Sequence, residues 1–325
     1  MTGRVDSRVD DEALLVSEGG GVARGRRDND LMDASERIPY ERYFEVSMTP
    51  EPGQPLHSYE YLRRLTSGVL DEYPTIDAHT HLGRDVDGRS LSLPDLLAEL
   101  DRFHVDRAVV FPFNDPEQGD DFRVPNERVW AAYEQAPERI VPFMRLNPNG
   151  PWEQEYERCR DRGHRGIKLH PRAQHFAIGS SRARELFARA AADQLPVIVH
   201  TGFGVEDVAD AIGELLAGPN GLTLLLAHSS FIEMNQALRV LGPRSNVYFE
   251  TSVVPAYDLI EVLTTVDPSR VIFGSDLPYA DCYTGIQSLA VMASFAGIGV
   301  DRLPDLLGGN LLRILNRRPR TEGSG

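Results

Sequence analysis

The chain has 325 residues and a formal net charge of −15, from 34 basic and 49 acidic side chains, and 41% of it is hydrophobic. That is material for a sizeable core and room for one α/β barrel of about 250 residues. The acidic balance argues against nucleic-acid and anionic-membrane partners, no apolar run approaches the roughly 20 residues of a membrane span, and two cysteines, Cys159 and Cys282, are too few for a disulfide framework. A reducing, cytoplasmic setting is expected. Residues 1–18 carry many charges and no apolar stretch of the secretory-signal kind.

Residues 1–35 read as a disordered tail, with Gly19-Gly20-Gly21, the basic Arg24-Gly25-Arg26-Arg27 and little apolar periodicity. Residues 36–73 read as an extension packing on the outside of the domain formed by the later residues. Within it, Ser58 to Asp71 has the pattern of an amphipathic helix, with Tyr61, Leu62, Leu65 and Val69 on one stripe and Pro74 preventing continuation. The aromatic-rich stretch 40–70 is also a candidate contact between copies in a homo-oligomer. Residues 319–325 read as a second disordered tail.

From Thr75 the pattern alternates. Short β-rich runs fall at 75–81, 107–113, 140–147, 166–170, 196–201, 222–229, 246–252 and 271–276. Helical patterns lie between and after them, at 93–103, 126–136, 152–162, 181–193, 205–216, 231–241, 257–266 and 283–296. Runs such as Val197-Ile198-Val199 and Leu224-Leu225-Leu226-Ala227 suit a parallel sheet covered on its faces. Eight successive strand–helix units favour a closed (β/α)8 TIM barrel over an open doubly wound sheet, so the expected architecture is α/β, a barrel over 74–318 with an N-terminal helical extension. No Gly-X-Gly-X-X-Gly or Walker loop follows the first strand.

In such a barrel the C-terminal ends of the strands share one site. Alternation along the first strand puts Asp77, His79 and His81 on one face, and two histidines at i and i+2 can hold one metal ion from one side. The fourth strand reads Gly166-Ile167-Lys168-Leu169-His170-Pro171, the fifth closes on Val199-His200-Thr201, the sixth on Ala227-His228-Ser229, and the eighth reads Phe273-Gly274-Ser275-Asp276-Leu277-Pro278. Taken singly each has a plain structural explanation: His200 as a satisfied core histidine, Asp276 as a helix cap, His170 bonding a loop, Lys168 in a buried ion pair. Their joint convergence on strand ends argues for a site.

With these motifs, and with the closing stretch Leu307-Gly308-Gly309-Asn310-Leu311-Leu312-Arg313-Ile314-Leu315, the chain resembles the amidohydrolase superfamily over roughly residues 74–317. The likeness is to the amidohydrolase-related branch that includes aminocarboxymuconate-semialdehyde decarboxylase-like enzymes. The resemblance implies a barrel holding a divalent metal, usually zinc, with His79, His81, His200 and Asp276 as ligands of one ion and His228 handling protons. Three imidazoles and a carboxylate also suit zinc by their donor chemistry. Other superfamily branches carry a carboxylated lysine on the fourth strand that bridges two metals, and Lys168 stands at that position, so a two-metal site remains open. In the one-metal arrangement Lys168 stays a cation toward substrate, with His170 beside it. Asp77 lies deeper and is expected to support a ligand or a neighbouring strand.

The expected reaction is hydrolysis of an amide, lactone or ester bond in a small molecule by metal-activated water, with Asp276 or His228 taking the proton. Metal-dependent, non-oxidative decarboxylation of a small unsaturated or aromatic acid is the rival, and a non-catalytic barrel used as a binding subunit is a third reading. Arg84, Arg145 and Arg172 are candidates to hold a substrate carboxylate. Glu250, Ser252, Asn114 and Asn147 are read as hydrogen-bonding residues near the pocket.

Overall fold

The structure is a computed structural model, and it describes residues 73–205, 207–217 and 221–316. The expectations for 1–35, 36–72 and 319–325 fall outside the described residues. The strands are β1 (Ile76–Arg84), β2 (Arg107–Pro112), β3 (Ile140–Pro142 and, beyond Phe143, Met144–Arg145), β4 (Ile167–Leu169), β5 (Val197–His200), β6 (Leu224–Ala227), β7 (Val247–Glu250) and β8 (Val271–Ile272). Each pairs in parallel with the next; the registers run Ile76↔Arg107, Ala108↔Ile140, Arg145↔Lys168, Lys168↔Ile198, Ile198↔Leu225, Leu225↔Tyr248 and Val271↔Phe249. The stretch after β8 returns to β1: the Ala78 N–H donates to the Phe273 carbonyl at 3.0 Å, the Asp276 N–H to His79 at 2.8 Å and the His81 N–H to Leu277 at 2.9 Å. These bonds complete an eight-stranded ring. A two-residue strand, Ser90–Leu91, folds back antiparallel on the end of β1.

The connecting helices are α1 (Leu93–Arg102), α2 (Arg123–Gln135), α3 (Trp152–Arg162), α4 (Ser181–Ala192), α5 (Val208–Leu215), α6 (Met234–Leu241), α7 (Ala256–Thr265) and α8 (Cys282–Phe295), followed by α9 (Asn310–Leu315). Local chemistry starts three of them: Ser92, Ser180 and Asp281 each accept a backbone N–H of the first turn. No helix among the described residues is long and apolar enough to cross a membrane. Cys159 and Cys282 are both buried and free.

Strand alternation explains why these runs are apolar throughout. Met144, Ile167, Leu169, Val197, Val199, Leu224 and Leu226 face the helix layer. Val109, Phe111, Phe143, Ile198, Leu225 and Tyr248 fill the barrel interior, joined by Leu311, Ile314 and Leu315 of α9. Both faces of each strand are therefore dry. On the same inward face, later along the strands, polar groups replace apolar ones: Arg145 and Lys168 alternate with outward Met144, Leu146, Ile167 and Leu169.

The turn leading into α9 packs so closely on β1 that a Cβ on Gly308 would collide with the Pro74 carbonyl and stand 3.2 Å from the Ile76 nitrogen. Backbone cannot step aside as a side chain can. Gly308→Ala should therefore cost about 1–3 kcal/mol, read as a drop in thermal midpoint at roughly 2–4 °C per kcal/mol. Gly179→Ala, whose added methyl meets only the mobile end of Arg184 at 3.5 Å, serves as the control. Equal midpoints for the two variants would show that α9 does not seat on β1 in this way.

Candidate active site

The C-terminal ends of the strands surround a cleft of about 590 Å³. His79, His81, Lys168, His170, Arg172, His200, His228 and Asp276 all line it, as do Asn114, Arg145 and Tyr279. Asp77 lies beneath the wall, and neither Arg84 nor Asn147 lines the cleft.

The carboxylate of Asp276 stands between the two histidines of β1, with Oδ1 at 3.1 Å from His79 Nε2 and 3.2 Å from His81 Nε2. Burial opposes its charge, but the His79 and His81 imidazoles outweigh it and hold Asp276 well below the usual carboxylate range. Its backbone is left-handed, with φ of 67°, and so is that of His228, at 66°. Non-glycine residues seldom adopt this conformation, and it persists only where the surroundings enforce it. At both positions the chain leaves its strand and turns sharply across the barrel mouth.

Glu250, at the end of β7, is the hub beneath the cleft. Its Oε2 accepts from His79 Nδ1 at 2.8 Å, Ser252 Oγ at 2.8 Å and the His228 N–H at 3.2 Å, and its Oε1 accepts from the Ser252 N–H at 2.6 Å. Burial pushes the carboxyl up, yet the His79 imidazole and these donors bring it below its ordinary value. The bond from Nδ1 fixes the His79 tautomer and aims Nε2 at the cleft. From sequence Glu250 reads only as a structural hydrogen-bonder. The available signal was a lone acid closing the apolar run Val247-Tyr248-Phe249, the same pattern that marks the histidines.

The remaining imidazoles form a chain. His228 Nδ1 lies 3.2 Å from the Ser252 carbonyl and 2.9 Å from Ser252 Oγ, and its Nε2 lies 3.1 Å from His200 Nδ1. The His200 ring stacks on His170 at 3.8 Å, 15° from parallel. Burial lowers all three, His228 to about 4 and His200 to about 2, so they are held neutral. His81 is also depressed by burial, to about 3; it stacks on Phe113 and meets Phe111 and Tyr279 edge-on. Its Nδ1 has no partner among the described residues.

Lys168 Nζ lies 2.8 Å from His79 Nε2 and 4.5 Å from the centre of the Phe111 ring, and burial pushes its amine down to about 7. Asp77 Oδ1 accepts the N–H groups of His79 and Ser275, both at 2.9 Å, and so ties β1 to the last strand; burial raises its carboxyl to about 6.

These donors fit a divalent metal. Imidazoles and an ionised carboxylate are the ligand set of zinc and related ions. His79, His228 and Asp276 each offer a ligand atom, all within 4.8 Å of one another. His81 and His200 both fall outside that tight group: His81 meets it at the Asp276 carboxylate, 3.2 Å away, and His200 at His228.

Comparison with known proteins bears on the fold and the family. The chain resembles 5-carboxyvanillate decarboxylase from Sphingomonas paucimobilis at a TM-score of 0.56 and 15% identity, over 76% of this chain and 100% of that one. It resembles a probable 2-pyrone-4,6-dicarboxylic acid hydrolase from Acinetobacter baumannii, crystallised with citric acid, at 0.56 and 12%, over 75% and 99%. It resembles 4-oxalomesaconate hydratase from Rhodopseudomonas palustris at 0.57 and 15%, over 74% and 95%. One fold thus carries a decarboxylase, a probable hydrolase and a hydratase, and likeness at this level speaks to fold alone. No curated protein matches the sequence. The amidohydrolase family model, however, matches residues 76–315, and the chain belongs to the amidohydrolase family.

Proposed function

We propose that this protein is a metal-dependent hydrolase of an amide, lactone or ester bond in a small molecule. The observation that carries the reading is the meeting of His79, His81 and Asp276, from the first and last strands, at hydrogen-bond distance in a cleft walled by further imidazoles. His79, His81 and Asp276 would hold the ion, and His200 would complete the set. When bound, such an ion supplies Lewis acidity: it polarises a substrate oxygen and makes water a nucleophile near neutral pH.

The chain's own residues would do the rest. His228 is neutral, and Ser252 engages its Nδ1, so its Nε2, which faces His200 Nδ1 at 3.1 Å, is the atom that would take the proton of attacking water. Once protonated, it would pass that proton to the leaving nitrogen or oxygen. Glu250 keeps His79 in one tautomer and holds the His228 backbone in place. Phe111, Phe113 and Tyr279 exclude water on the β1 side.

Decarboxylation is the second reading, and one feature favours it: Arg145 and Lys168 are buried basic side chains on adjacent strands, suited to a carboxylic acid. There, the C–C bond would break, carbon dioxide would leave, and a proton drawn from solvent would pass through His228 to the carbon that keeps the electron pair. A panel of lactones, amides, esters and aromatic acids, assayed for both acid release and carbon dioxide, separates the two. Hydrolysis without gas supports the first reading, and carbon dioxide evolution transfers the assignment to the second.

The roles of the two mouth histidines are separable. His200→Ala should lose bound metal, whereas His228→Ala should keep it and lose kcat by about 10²–10⁴-fold; metal retained in His200→Ala and lost in His228→Ala would exchange the roles. Glu250→Gln keeps shape but removes the charge facing His79, and should weaken metal retention against a competing chelator by about 10–100-fold. Unchanged retention would mean that Glu250 serves packing alone.

A further inference from the structure

The two histidines of β1 are held in different ways. His79 bonds Glu250 through Nδ1 at 2.8 Å, and that bond aims the opposite nitrogen. His81 Nδ1 has no hydrogen-bond partner among the described residues. Its Nε2 meets Asp276 Oδ1 at 3.2 Å, but both atoms are offered as metal ligands, so this contact cannot also aim the ring. A half-turn of an imidazole about its bond to Cβ puts carbon where Nε2 stood, and the ligand is lost. Something other than a hydrogen bond must keep His81 facing the cleft.

Aromatic rings surround it. Phe113 stacks on the imidazole, with centres 4.9 Å apart and planes 21° from parallel. Phe111 meets it edge-on at 4.8 Å and 82°, and Tyr279 at 5.4 Å and 76°. At such separations and angles aromatic rings attract one another. Phe111 is the register partner of His81 between β1 and β2, Phe113 follows two residues later, and both are fully buried. Barrel packing therefore fixes two sides of the clamp.

The third side is held by polar contacts. Tyr279 stands half-buried on the turn after β8, its N–H donating to the Asp276 carbonyl at 2.7 Å. Its hydroxyl donates to the Asp85 carboxylate, and the Arg89 guanidinium lies over its ring, 4.8 Å from the centre. Asp85 is itself fixed: Oδ1 accepts the Asp87 N–H at 3.1 Å, Oδ2 accepts the Asn114 N–H at 3.2 Å, and its own N–H donates to the Arg89 carbonyl at 2.8 Å. The acid that steadies His81 thus stands one ring away, whereas the acid that steadies His79 bonds it directly.

We infer that Tyr279, anchored by Asp85, is a positioning residue for His81: its ring closes the aromatic clamp that takes the place of a hydrogen bond at Nδ1. Asp85 then governs metal affinity at one remove. The inference rests on the metal reading proposed above, and one arm of its test works without metal.

The first arm is competition for zinc between the protein and a chelator. Tyr279→Leu, which removes the ring, should weaken retention by about 10–100-fold. Tyr279→Phe keeps the ring and should recover most of that loss. Asp85→Asn should weaken retention in the wild type but not in the Tyr279→Phe background, where the hydroxyl it acts through is gone. The second arm reads the ring in metal-free protein, from nitrogen-15 spectra of labelled histidines, with the His81 signals identified by their loss in His81→Gln. The wild type should give one sharp set for His81, and Tyr279→Leu a set broadened by exchange while the other histidines stay sharp. A merely structural role for Tyr279 would lower the thermal midpoint and disturb the histidines together. Should Tyr279→Leu fail to fold, the coupling between Asp85→Asn and Tyr279→Phe decides. Zinc retention unchanged in Tyr279→Leu, or equal effects of Asp85→Asn in both backgrounds, overturns the proposal and leaves the metal reading standing. A wild type that holds no zinc, with His81 alone broadened in Tyr279→Leu, has the opposite meaning: the clamp is real and the metal reading falls.

Discussion

The hydrogen bond from the Asp276 N–H to the His79 carbonyl, 2.8 Å long, joins the first barrel strand to the last across nearly two hundred residues. Everything at the mouth depends on that closure. Without it, Asp276 and the two β1 histidines would lie on opposite edges of an open sheet. With it, one carboxylate oxygen faces both imidazoles, and Asp77 reinforces the seam by accepting an N–H from each side.

Closure also brings electrostatic stress. Six histidines, a lysine, two arginines and, with Asp77 and Glu250, five acids sit in or just below one cleft, most of them buried. The structure answers part of that stress with Glu250, which offers its oxygens to His79, His228 and Ser252 at once. The room for that carboxylate comes from Gly274, where any Cβ would collide with Glu250 Oε1 and press on His79 at 2.9 Å. Clustered imidazoles, an ionised Asp276 and an Arg145 with no ion pair among the described residues are what remain.

Much of the architecture is legible in the sequence because both of its periods are local. Strands such as Leu224–Ala227 are apolar on both faces, and helices such as Trp152–Arg162 carry their own amphipathic pattern, so eight units can be counted without knowing any long-range contact. The concentration of histidines at strand ends is equally visible. What does not show is which ends touch. The strand of Thr75–His81 runs on to Arg84, because its end is paired by the Ser90–Leu91 turn, a contact no local pattern announces. The run at 231–241 begins as a kinked 3-10 turn at His228 and becomes α-helix only at Met234, since Ser229 and Ser230 take left-handed backbone to carry the chain over the mouth. The place of Glu250 as the hub is hidden for the same reason: its partners lie 2, 22 and 171 residues away.

The most direct measurement is anomalous X-ray diffraction, at the absorption edges of zinc and the other first-row metals, from crystals of protein purified without added metal. The account predicts a peak about 2.0–2.2 Å from Nε2 of both His79 and His81 and from an Asp276 oxygen. A well-ordered barrel with no peak there, or with its metal held by other residues, would contradict it.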